Sequence, residues 1–282
     1  MIKVYLRFPG GKTKAVTLSY DDGVEQDQKL MRIIDQYGIK CTFNVNSGRL
    51  YDQPQEFEPG RIHRIMTRQA AKELYENSHH EVAVHTFTHP YIDDLPPYRL
   101  SYEILADRKK LESMFDTEVR GMAYPYGICN DQIVQICRDC GIAYSRTTHS
   151  TFSFNLPHDW LRLNPTCHHN SERLPELMKT FLERKTPDRP LLFYLWGHSY
   201  EFEQNNNWEV IENFAKVMGG HDDIWYATNI EIYEYVESFR ALRFFVDGTK
   251  VYNPTCKTIE FVVYKRDRLY TIHPGETIDL SE

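Results

Sequence analysis

Three groups of titratable residues each follow a short apolar run. The first is Ser19-Tyr20-Asp21-Asp22-Gly23. Two adjacent carboxylates at a strand end point in different directions, so one can bind a metal while the other faces a substrate. Without a cation, their repulsion raises one pKa. Taken alone, the same residues also make an ordinary Asp-Asp-Gly turn. The second group is His85-Thr86-Phe87-Thr88-His89. Imidazoles at i and i+4 share one face of a helical turn and can chelate one ion, neutral nitrogen suiting zinc and similar metals. The bland alternative is two surface histidines among twelve. The third is Trp196-Gly197-His198-Ser199. A histidine beside a glycine that allows close approach suits a general acid titrating near neutrality, or is a satisfied core histidine. Between these groups, the turn Ala123-Tyr124-Pro125-Tyr126-Gly127 can aim the Tyr126 amide at a developing oxyanion. His158-Asp159-Trp160 offers a carboxylate and a ring for stacking.

The elements that must position these groups read as βα units. Strands are expected at Ala15–Tyr20, Cys41–Val45, Glu81–Val84, Gly121–Tyr124, Ile142–Ser145, Leu191–Trp196 and Ile224–Ala227. Helical periodicity falls between them, over Gln28–Tyr37, Arg68–Asn77, Pro97–Phe115, Asp131–Cys140, Leu174–Lys185, Trp208–Met218 and Ile230–Arg240. Gly38 reads as a left-handed stop, Thr67 and Asn130 as caps. This alternation predicts an α/β fold, a distorted, TIM-like (β/α) barrel of about seven strands over residues 1–240. In a parallel barrel the carboxyl ends of the strands share one face, so residues distant in sequence converge there. No G-x-G-x-x-G follows the first strand, which removes the dinucleotide fingerprint. Residues 241–282 change to short strands separated by Asp247-Gly248, Asn253-Pro254 and Pro274-Gly275. They read as a small antiparallel appendage, too short to hold a core alone and expected to dock on the barrel.

Composition narrows the class. The 282 residues carry 33 basic and 40 acidic side chains, a formal charge of −7, which argues against a nucleic-acid partner. No apolar run is long enough to cross a bilayer, and Met1–Gly11 lacks the pattern of a signal peptide. A cytoplasmic chain is therefore the expectation. Six cysteines, including Cys137-x-x-Cys140, are too sparse for a disulfide framework and read as reduced thiols. Nineteen Tyr and four Trp supply rings for stacking on something planar or on sugar faces, which abundance alone does not prove.

In this order the motifs strongly resemble the polysaccharide deacetylases, carbohydrate esterase family four or the NodB-homology domain, from about Val16 to His198. The resemblance implies a distorted (β/α) barrel that removes N- or O-acetyl groups from sugars with one divalent metal. It implies Asp22, His85 and His89 as metal ligands, Asp21 as general base and His198 as general acid. Tyr126 would offer its backbone N–H to the oxyanion, and Asp159, Trp160 and Trp196 would belong to the substrate pocket. Three places depart from the family pattern, one of them Trp196-Gly197 ahead of His198 where the family shows Leu-x-His. Ala123 stands where an arginine commonly holds the base, and Leu156 where the fourth motif begins with Asp. Arg146, near the end of its own strand, is the expected substitute for that arginine. Cys167-His168-His169 lacks chelating spacing and reads as loop.

The function expected is metal-dependent deacetylation of an acetylated carbohydrate, with zinc as the metal and cobalt or manganese as tolerated alternatives. A small non-peptide amide on the same site, or a carbohydrate-binding protein without turnover, are the competing readings.

Overall fold

The computed structural model describes residues 2–186, 188–266 and 268–281. The chain runs β1 (Val4–Arg7), β2 (Lys14–Asp21), α1 (Asp27–Asp35), β3 (Cys41–Val45), α2 (Arg68–Tyr75), β4 (Glu81–Val84) and α3 (Pro97–Phe115). It continues through β5 (Gly121–Ala123), α4 (Asp131–Asp139), β6 (Tyr144–Arg146), β7 (Cys167–His168), α5 (Leu174–Glu183) and β8 (Leu191–Gly197). Then follow α6 (Tyr200–Gln204), α7 (Glu209–Met218), β9 (Ile224–Tyr226) and α8 (Asn229–Arg240). The last strands are β10 (Arg243–Phe244), β11 (Lys250–Tyr252), β12 (Ile259–Val263), β13 (Leu269–Ile272) and β14 (Thr277–Asp279).

Seven parallel strands lie in the order β6-β5-β4-β3-β2-β8-β7, and β9 pairs with the first half of β2. The segment 163–168 curls this sheet back toward its start. Leu163 exchanges backbone hydrogen bonds with Ser145 and Thr147 beside β6, while Thr166 donates to Tyr194 in β8. All carboxyl ends therefore lie on one rim. Buried on both faces, β2 and β8 read as continuous runs instead of alternating ones. Their side chains still divide by the period of two. Val16, Leu18 and Tyr20, with Leu191, Phe193 and Leu195, pack under the helices, whereas Ala15, Leu192 and Tyr194 join a second core.

That second core is shared with α8 and two small antiparallel sheets, β1-β12-β13 and β10-β11-β14. One small sheet thus borrows its first strand from the amino terminus, which the sequence reading of residues 241–282 as an appendage docked on the barrel did not anticipate. A ladder that pairs Val4 with Val263 joins the two ends of the chain and has no local signature. Caps behave as expected: Thr67 accepts from the Ala70 N–H and Asn130 from Ile133, and Gly38 takes φ 65°. Thr228 and Glu231 add a reciprocal capping box at α8. All six cysteines are free. No helix among the described residues is long and apolar enough to cross a membrane.

Candidate active site

Strand alternation should send Asp21 and Asp22 to opposite faces of β2. Asp22 instead takes φ 84°, in the left-handed region, followed by Gly23 at φ 66°. Aspartate tolerates this conformation better than most side chains, at a cost of about 1–3 kcal/mol. The consequence is that both carboxylates face the rim.

Asp21 is fully buried and doubly held. Asn44 on β3 donates Nδ2–H to Oδ1 at 2.8 Å, and the buried Arg146 guanidinium on β6 pairs with Oδ2. Arg146 also lies 4.4 Å from the centre of the Trp196 ring. The arginine missing at position 123 is thereby replaced from the next strand, as expected. Burial pushes the Asp21 pKa up, but Arg146, His85 and His198 together outweigh it and hold the carboxyl below its usual range.

Asp22 faces the two histidines. Its Oδ1 lies 3.8 Å from His85 Nε2 and 3.8 Å from His89 Nε2, is buried, and has no hydrogen-bond partner. Its Oδ2 meets His63 Nε2 at 3.0 Å. The His85 ring is locked: Nδ1 donates to the Ala123 carbonyl at 2.8 Å, leaving the Nε2 lone pair toward the aspartates. Its backbone N–H donates to Asp107, which also holds Ser47. Burial pushes Asp107 up to about 8, partly opposed by these hydrogen bonds. Residues 85–89 are not a helical turn, contrary to the i, i+4 expectation. Thr86 and His89 take φ 63° and 59°, and this irregular loop brings the two rings to 4.8 Å. Glu103 on α3 fixes it by accepting from Thr88 N and Oγ1. Donor atoms of Asp22, His85 and His89 all lie within 4.8 Å of one another, and one carboxylate with two imidazoles suits a divalent metal.

His198 follows β8 with Nε2 3.8 Å from Asp21 Oδ2. Its Nδ1 donates to Glu201 Oε1 at 3.2 Å, one turn along α6. Burial lowers the His198 pKa, but Glu201, Asp21 and Asp22 more than offset this and leave it raised. Glu201 Oε2 lies 3.1 Å from both His168 Nε2 and His169 Nε2. The Cys167-His168-His169 segment is therefore a strand edge converging beside His198, which corrects its reading as loop.

The remaining expectations divide. Tyr126, at φ 57°, sets its half-exposed ring 4.7 Å from His89 and stacks on Tyr91 at 4.2 Å. Trp196 sits behind Arg146, largely buried, with His168 at 4.6 Å. Asp159 and Trp160 are not brought to this cluster. Asp159 caps a short turn and pairs with Arg162. Trp160 packs against Tyr233 in the second core and donates Nε1–H to Glu237. A large ring beside a buried seam gains more by filling it than by standing in a cleft. The sequence reading missed His63, Asn44 and Asp107 altogether. Only Glu201 carried a signal, its i+3 spacing from His198.

The polysaccharide deacetylase family profile matches residues 9–145. A chitooligosaccharide deacetylase of Bradyrhizobium sp. (strain ANU 289) is 26% identical over 153 residues, 53% of this chain and 60% of that protein. Another from Rhizobium leguminosarum bv. phaseoli is 26% identical over 159 residues, 55% of this chain and 60% of that one. The chain thus spans about 60% of the curated relatives it matches. The family 4 carbohydrate esterase from Streptomyces lividans, solved in complex with acetate, superposes with a TM-score of 0.51. It is 14% identical, covering 76% of this chain and 92% of that one, and shares the fold. The segment 9–145, which holds Asp21, Asp22, His85 and His89, is thus similar to the polysaccharide deacetylases.

Proposed function

We propose that this chain removes acetyl groups from an acetylated carbohydrate by metal-assisted hydrolysis. The observation that carries the reading is the facing of Asp21 and His198, 3.8 Å apart, beside the Asp22-His85-His89 donor set. A binding protein has no need of a held carboxylate opposite a histidine.

Asp22, His85 and His89 would hold one divalent ion, zinc first, with cobalt or manganese tolerated. When bound, such an ion polarises an acyl carbonyl and acidifies a water. The protein's own groups do the rest. Asp21, kept anionic by Arg146 and aimed by Asn44, takes the proton of the attacking water. The Tyr126 backbone N–H stabilises the developing oxyanion. His198, its Nδ1–H fixed on Glu201, passes a proton from Nε2 to the departing amine or hydroxyl. The Arg146–Asp21 pair and the His198–Glu201 pair therefore set a base and an acid 3.8 Å apart beside the donor set.

The test is acetate release from N-acetylated oligosaccharides, chitooligosaccharides first, by metal-stripped protein with and without added zinc or cobalt. Metal-restored release is expected. Stoichiometric metal uptake without release from any acetylated sugar would defeat the reading.

A further inference from the structure

One cation at the rim has no counter-charge. Arg49 is half-buried, and its guanidinium has neither an ion pair nor a hydrogen bond among the described residues. Most other arginines close to the site are spoken for: Arg146 by Asp21, and Arg64 by Glu25 and Glu203. The position of Arg49 is rigid. Its backbone N–H donates to Asn46, whose side chain donates to the carbonyl oxygens of His85 and Thr86. The adjacent Gly48 N–H donates to the Phe87 carbonyl, and a Cβ at Gly48 would meet that oxygen at 2.4 Å. Arg49 is thus bolted to the same backbone that carries the two histidines.

It lines a recess of about 500 Å³ with Tyr51, Phe57, Arg61, His63 and Ile65. The floor of the recess reaches the site, since His63 bonds Asp22. Glu56 and Glu58 also line it, and both, like Arg61, are exposed. Arg49, half-buried, is left without a partner among the described residues. The Tyr200 ring meets His63 edge-on, with centres 4.7 Å apart. A half-buried guanidinium loses hydration and regains it best from a planar carboxylate, which its fork matches with two parallel hydrogen bonds.

We infer that the recess beside His63 receives a carboxylate of the substrate on Arg49, so that the preferred substrate is an acetylated sugar bearing a carboxylate. This rests on the deacetylase reading above and names its substrate class.

The experiment uses metal-loaded protein and two N-acetylated oligosaccharides of equal length, one neutral and one with a carboxylate on the acetylated sugar. The wild type should favour the carboxylated substrate by about tenfold or more in kcat/KM, the scale of one charge-assisted pair. Arg49→Gln should bring that ratio close to one, and Arg49→Lys should restore part of it. Equal rates on both substrates in the wild type, or a preference that survives Arg49→Gln, would overturn the inference. If neither substrate is hydrolysed, the deacetylase reading fails, and calorimetric binding of the carboxylated sugar decides separately. Binding that is weakened by Arg49→Gln and by salt supports the Arg49 contact, and binding indifferent to both refutes it.

Discussion

Two clusters of imidazole and carboxylate stand side by side on the rim, built from the same residue types and arranged for opposite purposes. In the first, Ala123 takes the His85 Nδ1 proton so that Nε2 presents a lone pair toward Asp22. In the second, Glu201 gathers His168, His169 and His198. His168 Nδ1 accepts the Asn170 backbone N–H at 3.1 Å, which puts its ring proton on Nε2, toward Glu201. His198 likewise turns Nδ1–H to that carboxylate. A ring nitrogen that presents its lone pair can ligate a metal, whereas one that turns its N–H on a carboxylate, as His198 does on Glu201, cannot do so with that atom. Residue type and proximity alone would have ranked the two clusters equally, and the backbone partner of the far ring nitrogen separates them.

The comparison breaks most sharply at His85. His85→Ala should abolish both stoichiometric metal binding and acetate release, by several orders of magnitude, while Glu201→Gln keeps its metal content. Elemental analysis of the two purified variants reads this directly, and loss of metal from Glu201→Gln would undo the distinction. Asp21→Asn should keep the metal and lower kcat by about 10²–10⁴-fold. Its partner is tested by stability: Arg146→Met leaves Asp21 buried and unpaired, at a cost of about 3–5 kcal/mol in a denaturant titration. His63→Ala should weaken metal affinity about 10–100-fold, the usual effect of removing a group that orients a ligand.

Glu201→Gln carries a smaller effect with a defined sign. Glu201 raises the His198 pKa, so the protonated acid persists above the pH expected of a free histidine. Removing the carboxylate lowers that pKa, and the alkaline limb of the kcat profile should move to lower pH. An unmoved limb would detach Glu201 from the acid. The smallest effect is expected outside both clusters: Trp160→Phe should cost about 1 kcal/mol of stability through the lost bond to Glu237, with KM unchanged. A large rise in KM would return Trp160 to the substrate pocket.

How much of this was legible in the chain differs by residue. The 19 residues of α3 were readable to their ends, with Pro97 in the first turn, where its missing N–H costs nothing. Asp21, Asp22, His85, His89 and His198 could be picked out because each follows an apolar strand, and parallel strands end on one rim. Asp159 and Trp160 shared the motif order but went to the second core. His63 and Arg49 lie on a long connection without periodicity, so nothing in their neighbourhood marked them.

The sequence by itself determined the strand-and-helix order, the parallel sheet and the rim on which the acidic and imidazole groups meet, because hydrophobic period and caps are local properties of the chain. Only the tertiary structure decided what each group does there. The left-handed turn at Asp22, the carbonyl that fixes the His85 tautomer, and the guanidinium of Arg146 reaching Asp21 from 125 residues away all depend on partners brought by other strands. Protonation and lone-pair direction are set by such partners, and the sequence does not encode them within any one segment.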